Sequence, residues 1–243
     1  MNIIPYILSL ALQFLGIPYV AHTLDADQQE RLVARQDAFD CTTYVETVTA
    51  LTLCKEAHQE GDAAFRQQLQ QLRYRNGEVS YLQRLHYFSA WIDENACKNR
   101  VEEIHQPAKV FRGRQVIQLH FMSRHASLYP QLKQHPAWVK GIQRMEQQYS
   151  GKTVAYIPKA DLKQTDPLRE VIHDGDILAL VSNVNGLDVA HVGFAIWQKG
   201  ELHLLHASSR HKKVVVEPQT LYEYMRQQPS QLGVRVIRIK SQL

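Results

Sequence analysis

Cys41, His191 and His206 are far apart in the chain, yet their side chains together could carry out acyl transfer. A thiol becomes a nucleophile when a base takes its proton, and an imidazole base works best when a third polar group orients it. Cys41 stands in Phe39-Asp40-Cys41-Thr42-Thr43-Tyr44-Val45-Glu46, and Tyr44, Val45, Val48 and Leu51 recur at helical spacing. Asp40 is one N-cap for that helix. Thr43 with Glu46 has the form of a capping box and sets a competing start. In either register Cys41 lies at or just before the first turn, where unpaired amides and the positive end of the helix dipole stabilise an anion. That placement predicts a thiol pKa lowered toward neutrality and amides able to hold an oxyanion. The plainer alternative is a small core cysteine on a buried helix face.

The histidines bear on that choice. Val189, His191, Gly193, Ala195 and Trp197 share one face of a strand, because side chains alternate. His206 ends the next strand. A two-residue turn at Lys199-Gly200 would pair Gln198 with Glu201 and set Gly193 opposite His206, on the face that carries His191. A slip of one residue would send the histidines to opposite faces. In the unslipped register a base and its orienting partner stand on adjacent strands, and both are expected to face the helix that begins at Cys41. The alternative is a pair of structural histidines bonded to backbone.

Cys54, thirteen residues after Cys41 on the continuing helix, reads as buried, and Cys97 as partly exposed without an activating neighbour. No CxxC and no HExxH occurs, so zinc sites of those kinds are not indicated. His203 and His206 alternate across a strand and His211 lies beyond it, a weak basis for a histidine zinc site. His105, His120, His125 and His135 are dispersed and read as surface or packing residues.

The elements that must position these groups follow a change of periodicity. A helix is predicted from about Ile4 to Leu15, ended by Gly16 and Pro18. The apolar run Ile3 to Ala21 has no Lys or Arg ahead of it and is interrupted by Pro5, Gly16 and Pro18, unlike a signal peptide or a membrane span. Residues 1–60 read as helix, loop, helix. Residues 61–165 read as mostly helical and polar, with an extended piece at Lys109 to His120. Strands are predicted at Ile177–Val181, Val189–Trp197, Leu202–His206, Val214–Val216 and Val234–Ile239. Helices followed by an antiparallel sheet make an α+β layout. The chain of 243 residues has 44% hydrophobic and 21% charged residues, the ordinary globular range. Its formal charge of +4 is spread along the sequence, which argues against a nucleic-acid partner.

Several segments then carry a family resemblance. Phe14-Leu15-Gly16-Ile17-Pro18-Tyr19-Val20 and Phe39-Asp40-Cys41-Thr42-Thr43 resemble the start of an NlpC-type papain-like cell-wall hydrolase. Arg84-Leu85-His86-Tyr87-Phe88-Ser89-Ala90-Trp91, Asp174-Gly175-Asp176-Ile177, Gly186-Leu187-Asp188-Val189-Ala190-His191-Val192-Gly193 and Leu205-His206-Ala207-Ser208-Ser209 narrow it. In order and spacing they are similar to the branch called the N-acetylmuramoyl-L-alanine amidase-like family, over about Phe14 to Ile239. Asp40-Cys41-Thr42-Thr43 replaces the superfamily's Asp-Cys-Ser-Gly.

The resemblance implies a papain-like cysteine hydrolase fold forming one catalytic domain over residues 1–243, with a helical insertion at about 61–165. It implies hydrolysis of the amide between the muramic acid lactyl group and L-alanine, in peptidoglycan or its muropeptide fragments. Carried over, Cys41 is the nucleophile, His191 the base and His206 the orienting residue. Tyr19, Asp40, Thr42, Arg84, His86, Tyr87 and Ser208 are the residues expected at the substrate, and neither metal nor organic cofactor is required. Action in the periplasm or outside the cell is implied, with any export signal lying beyond the given sequence; a cytoplasmic location is the alternative. The other readings are a stem-peptide endopeptidase or acyltransferase of the same fold, and a non-catalytic cell-wall binding module.

Overall fold

The computed structural model describes residues 4–25 and 29–241. Its α-helices are α1 (Ile4–Leu12), α2 (Cys41–Glu56), α3 (Asp62–Arg73), α4 (Phe88–Cys97), α5 (Phe121–Arg124), α6 (Pro130–Gln134), α7 (Val139–Tyr149), α8 (Thr165–Arg169) and α9 (Leu221–Arg226). The strands are β1 (Val101–Ile104), β2 (Gly113–Val116), β3 (Thr153–Pro158), β4 (Ile177–Ser182), β5 (Val189–Gln198), β6 (Glu201–Ser208), β7 (Lys213–Val216) and β8 (Gln231–Ile239). The molecule is thus α+β, with an antiparallel sheet in the order β2-β3-β8-β4-β5-β6-β7. β1 pairs with β8 further along the same edge that β3 uses. None of the described helices is long and apolar enough to cross a membrane.

Alternation explains why both faces of this sheet are covered. On β4, Ile177 and Ala179 join the apolar layer built with α1, α2 and α4, whereas Leu178 and Leu180 join a second layer with Leu168, Leu221 and Met225. β4 is accordingly buried at every residue, as befits a central strand.

Three details differ from the sequence reading. α1 ends at Leu12, and single turns carry the chain to Gly16, which takes the left-handed φ of 85°. The segment 61–165, read as mostly helical, also supplies β1, β2 and β3 to the sheet. β2 lies inside the extended piece expected at Lys109 to His120, but β1 and β3 were not anticipated. Val101–Ile104 is a four-residue strand with acidic residues at its centre, too short for periodicity to show. Helix α9 was also not anticipated; its Thr220–Glu223 capping box is the local signal for it.

Much of the polar sequence that carried the resemblance turns out to be scaffolding. Asp188, next to β5, is 2% exposed and accepts the Ser89 amide at 2.6 Å, tying the start of α4 to the strand that carries His191. Asp176 forms a two-pronged pair with Arg238, and Asp174 accepts the Trp197 amide. Buried Arg73 donates to Glu46 at 2.7 Å, joining α3 to α2.

Candidate active site

Asp40 begins α2. Its carboxylate accepts the Thr43 amide at 2.8 Å while the Thr43 hydroxyl accepts the Asp40 amide, a reciprocal cap that makes Cys41 the first helical residue. Of the two competing starts, the Asp40 register is the one adopted; Glu46 is turned inward to Arg73. The segment Pro18–Val20 bridges to Phe39, so Tyr19 is held next to the start of α2 by the bonds Val20 N–H to Phe39 O and Phe39 N–H to Pro18 O.

The hairpin has the expected register. Gln198 pairs with Glu201 and Phe194 with Leu205. Lys199 and Gly200 both have positive φ, 49° and 93°, as a two-residue turn of the hairpin-favouring type requires. Gly193 then lies against His206, since a Cβ placed on it would come within 2.8 Å of the His206 Cβ and of the Leu205 carbonyl oxygen. The two histidines share a face, and His191 Nε2 lies 2.6 Å from His206 Nδ1.

That face is not the one covered by α2, which corrects the expected orientation. His191 is paired with Leu180, and His206 shares its face of β6 with Leu202 and Leu204; these three leucines belong to the second apolar layer. His206 meets the Tyr224 ring of α9 edge-on at 5.6 Å between centroids. Cys41 packs with the α2 layer but reaches the strands at their margin, where the sulfur takes the Val192 backbone amide. Val192 is the residue after His191, and the β5–β6 ladder has ended before it, at Phe194–Leu205. The amide freed by the parting strands is what the sulfur accepts.

The electrostatics also run against the sequence reading. Burial and the adjoining Asp40 carboxylate push the Cys41 thiol up to about 11, outweighing the Val192 and Thr42 amides and the Thr42 hydroxyl. The helix-start amides are present, but desolvation of a thiolate costs more than they return. Burial, helped by the neighbouring His206, pushes His191 down to about 3. Burial also lowers His206, against the pull of Glu217. The resting site therefore holds a neutral thiol and neutral imidazoles at neutral pH.

Cys41 opens on a cavity of about 350 Å³. Tyr19, Asp40, Thr42, Arg84, His86 and Tyr87 all line it, so six of the seven expected substrate residues surround one space; neither His191 nor His206 is in its lining. Several of these side chains are already engaged. Arg84 donates to Asp25 at 2.5 Å, and the Tyr87 hydroxyl donates to Glu146 while accepting the Met122 amide. His86 Nε2 bonds the Tyr81 carbonyl at 2.7 Å, and burial holds this imidazole far below its usual range, leaving Nδ1 as an acceptor. Tyr19 is raised chiefly by burial, with the acidic neighbours Cys41 and Asp40 adding to it, so it stays a phenol able to donate.

Ser208 is the exception. It is buried, lies outside the cavity lining, and its hydroxyl accepts the His211 amide, fixing the β6–β7 turn. That turn exposes a residue the sequence reading missed. Glu217, 1% exposed, follows β7 and places one carboxylate oxygen 3.5 Å from His206 Nε2 and 3.2 Å from His211 Nε2. The pairing of His206 with Val215 puts Glu217 on the His206 face, two residues on, a relation visible only once that register is known. Among the described residues, no three His, Cys, Asp or Glu side chains are grouped so as to hold a metal ion.

The solved N-acetylmuramoyl-L-alanine amidase of Bacteroides uniformis ATCC 8492 superimposes with a TM-score of 0.89 at 40% identity, covering 96% of this chain and 98% of that one. A Bacteroides fragilis protein provisionally named a xylanase matches with a TM-score of 0.88 at 40% identity, covering 96% and 100%. A Legionella pneumophila protein shares the fold alone, at 24% identity and a TM-score of 0.73, covering 98% and 89%. No curated protein is similar enough to match. The family model described as AmiA-like, N-acetylmuramoyl-L-alanine amidase-like, matches residues 9–234, and the chain belongs to that family.

Proposed function

We propose that this protein is a cysteine-dependent N-acetylmuramoyl-L-alanine amidase of the NlpC-type papain-like class, its chain acting as one catalytic domain on peptidoglycan or muropeptides outside the cytoplasm. The observation that carries this reading is the 2.6 Å contact of His191 with His206, one residue from the Val192 amide that binds the Cys41 sulfur. With Nε2 committed to His206, Nδ1 is the ring nitrogen of His191 left to act as base, in the tautomer that carries the proton on Nε2. It takes the thiol proton as sulfur attacks the lactyl carbonyl. The oxyanion is met by the Cys41 amide at the start of α2 and by the Tyr19 hydroxyl. His191 then protonates the alanine nitrogen, the C–N bond breaks, and a thioester remains on Cys41. Water, giving its proton to His191, hydrolyses the thioester and restores the thiol. A base that drives transfer from a neutral thiol suits a site whose resting groups are uncharged.

The xylanase name of the Bacteroides fragilis neighbour raises a second reading, glycoside hydrolysis, which needs a pair of carboxyl groups free to serve as acid and base or nucleophile. The cavity's acids argue against it: Asp25 is bound by Arg84, Asp40 caps α2 and Glu46 is bound by Arg73.

The test is incubation with defined muropeptides and product masses. Release of intact stem peptide and free muramyl sugar is expected from the native protein and from Cys54→Ala, and none from folded Cys41→Ala, with chelators without effect. Activity surviving in Cys41→Ala would remove the reading. Products cut within the stem peptide would replace it with the endopeptidase.

A further inference from the structure

We propose that Glu217 is a positioning residue that sets the proton arrangement of both imidazoles, and through it the availability of His191 Nδ1; this rests on the Cys41–His191 reading above. A neutral imidazole carries one N–H and one lone pair, and the partner at one nitrogen decides the role of the other. His206 Nδ1 and His191 Nε2 face each other at 2.6 Å, so one of them holds a proton and the other does not. Taken alone, that contact is ambiguous. If His206 Nδ1 held the proton, His191 would have to carry its own on Nδ1, and that atom could not take the thiol proton.

Glu217 removes the ambiguity. Its side chain is 2% exposed, and opposing influences leave it a carboxylate: burial raises its pKa, but bonding to His206, the Gln219 amide and the charge of His211 outweigh this and lower it. An ionised carboxylate can only accept. His206 Nε2 is buried and makes no hydrogen bond in the resting geometry, and Glu217 Oε2 lies 3.5 Å from it. Two lone pairs facing each other there would repel, so the His206 proton is held on Nε2. His206 Nδ1 is then a lone pair, His191 Nε2 donates to it, and His191 Nδ1 is left bare. The carboxylate also offsets positive charge as His191 becomes imidazolium during the reaction.

The backbone fixes Glu217 for this task. Its amide donates to the Leu204 carbonyl at 2.8 Å, and its own carbonyl faces His203 Nδ1 at 3.0 Å. His211 shares the same carboxylate oxygen but is 31% exposed, so water can serve it instead. His206, at 1% exposure, has no such substitute.

The experiment is ¹⁵N NMR of histidine ring nitrogens in the full-length resting protein, with steady-state kinetics of the same samples. In the native protein His206 Nε2 and His191 Nε2 should be of the protonated, pyrrole type, and both Nδ1 atoms of the bare, pyridine type. Glu217→Leu should give mixed tautomers at both rings and lower kcat on the order of 100-fold with KM unchanged, a milder loss than the ~10⁴ seen when an acid in direct contact with a catalytic histidine is replaced by its amide. Glu217→Gln keeps an acceptor oxygen and should retain the native tautomers and recover much of the rate. A native spectrum with the proton on His206 Nδ1 overturns the proposal, even if Glu217→Leu fails to fold. So does a folded Glu217→Leu with native tautomers and a kcat within about twofold of native. The spectra need neither substrate nor the thiol, so failure of the amidase reading in Cys41→Ala leaves their outcome legible.

Discussion

The neutral resting thiol makes a quantitative claim that differs from the usual picture of a preformed thiolate–imidazolium pair. With Cys41 pushed up to about 11, the thiolate fraction at pH 8 is about 10⁻³, against about a quarter for an ordinary thiol of pKa about 8.5. The deficit is about 240-fold. A more basic thiolate is a better nucleophile, and a Brønsted slope of about 0.45 over about 2.5 pKa units returns roughly 13-fold. Cys41 should therefore react with iodoacetamide about 20-fold more slowly at pH 8 than a cysteine in a short peptide, before any steric hindrance. Its rate constant should rise about tenfold per pH unit from pH 7 to 9.5 without levelling. The assay is intact-mass spectrometry of a Cys97→Ser variant, which removes the exposed thiol, with Cys41→Ala as the blank; Cys54 is buried. A rate that levels off below pH 7 would refute the reasoning, because it would show that His191 holds the proton before substrate arrives.

Removing the Asp40 charge while keeping the cap should shift that profile. Asp40→Asn should speed alkylation several-fold at pH 8 and leave Tm nearly unchanged, since Asn caps a helix about as well as Asp. Gly193→Ala meets backbone and Cβ atoms at 2.8 Å and should cost about 1–3 kcal/mol in chemical denaturation, with activity falling as His206 is displaced. Glu46→Gln leaves Arg73 buried without its charge partner and should cost about 3–5 kcal/mol in the same assay. For pH, His191 at about 3 and a lowered His206 mean that the native state binds fewer protons than the unfolded chain below pH about 6.5. Their contribution to stability is complete above that value and drains away as pH falls toward 3, so Tm should drop on acidification, and His191→Gln should flatten the drop.

How much of this was legible in the sequence depended on the range over which each signal acts. β4 to β8 were readable because alternation and apolar runs are local, and the β5–β6 register was readable because Lys199-Gly200 dictates the turn. β1 was hidden for the converse reason. Val101–Ile104 is a strand because Ile239 to Val236 of β8 lie beside it, more than 130 residues away, and no short window contains that fact.

The site divides along the same line. That Cys41 begins a helix and that His191 and His206 share a strand face are consequences of short-range geometry. Which face of the sheet they occupy is a property of packing, decided by where α2 and α9 settle. The thiol's protonation state is a balance between burial and helix-start amides, and a sequence displays the amides but not the burial. Helix placement pointed to activation of Cys41 before substrate binds; in the proposed mechanism, burial and the Asp40 carboxylate beside the thiol instead postpone ionisation to the attack itself. That change shifts the burden of activation from the helix to the base. A base of low proton affinity can meet it only if the orienting groups hold its lone pair ready and stabilise the proton once it arrives. In the proposed mechanism His206 and the Glu217 carboxylate therefore bear on the rate together with the cysteine's place at the start of α2.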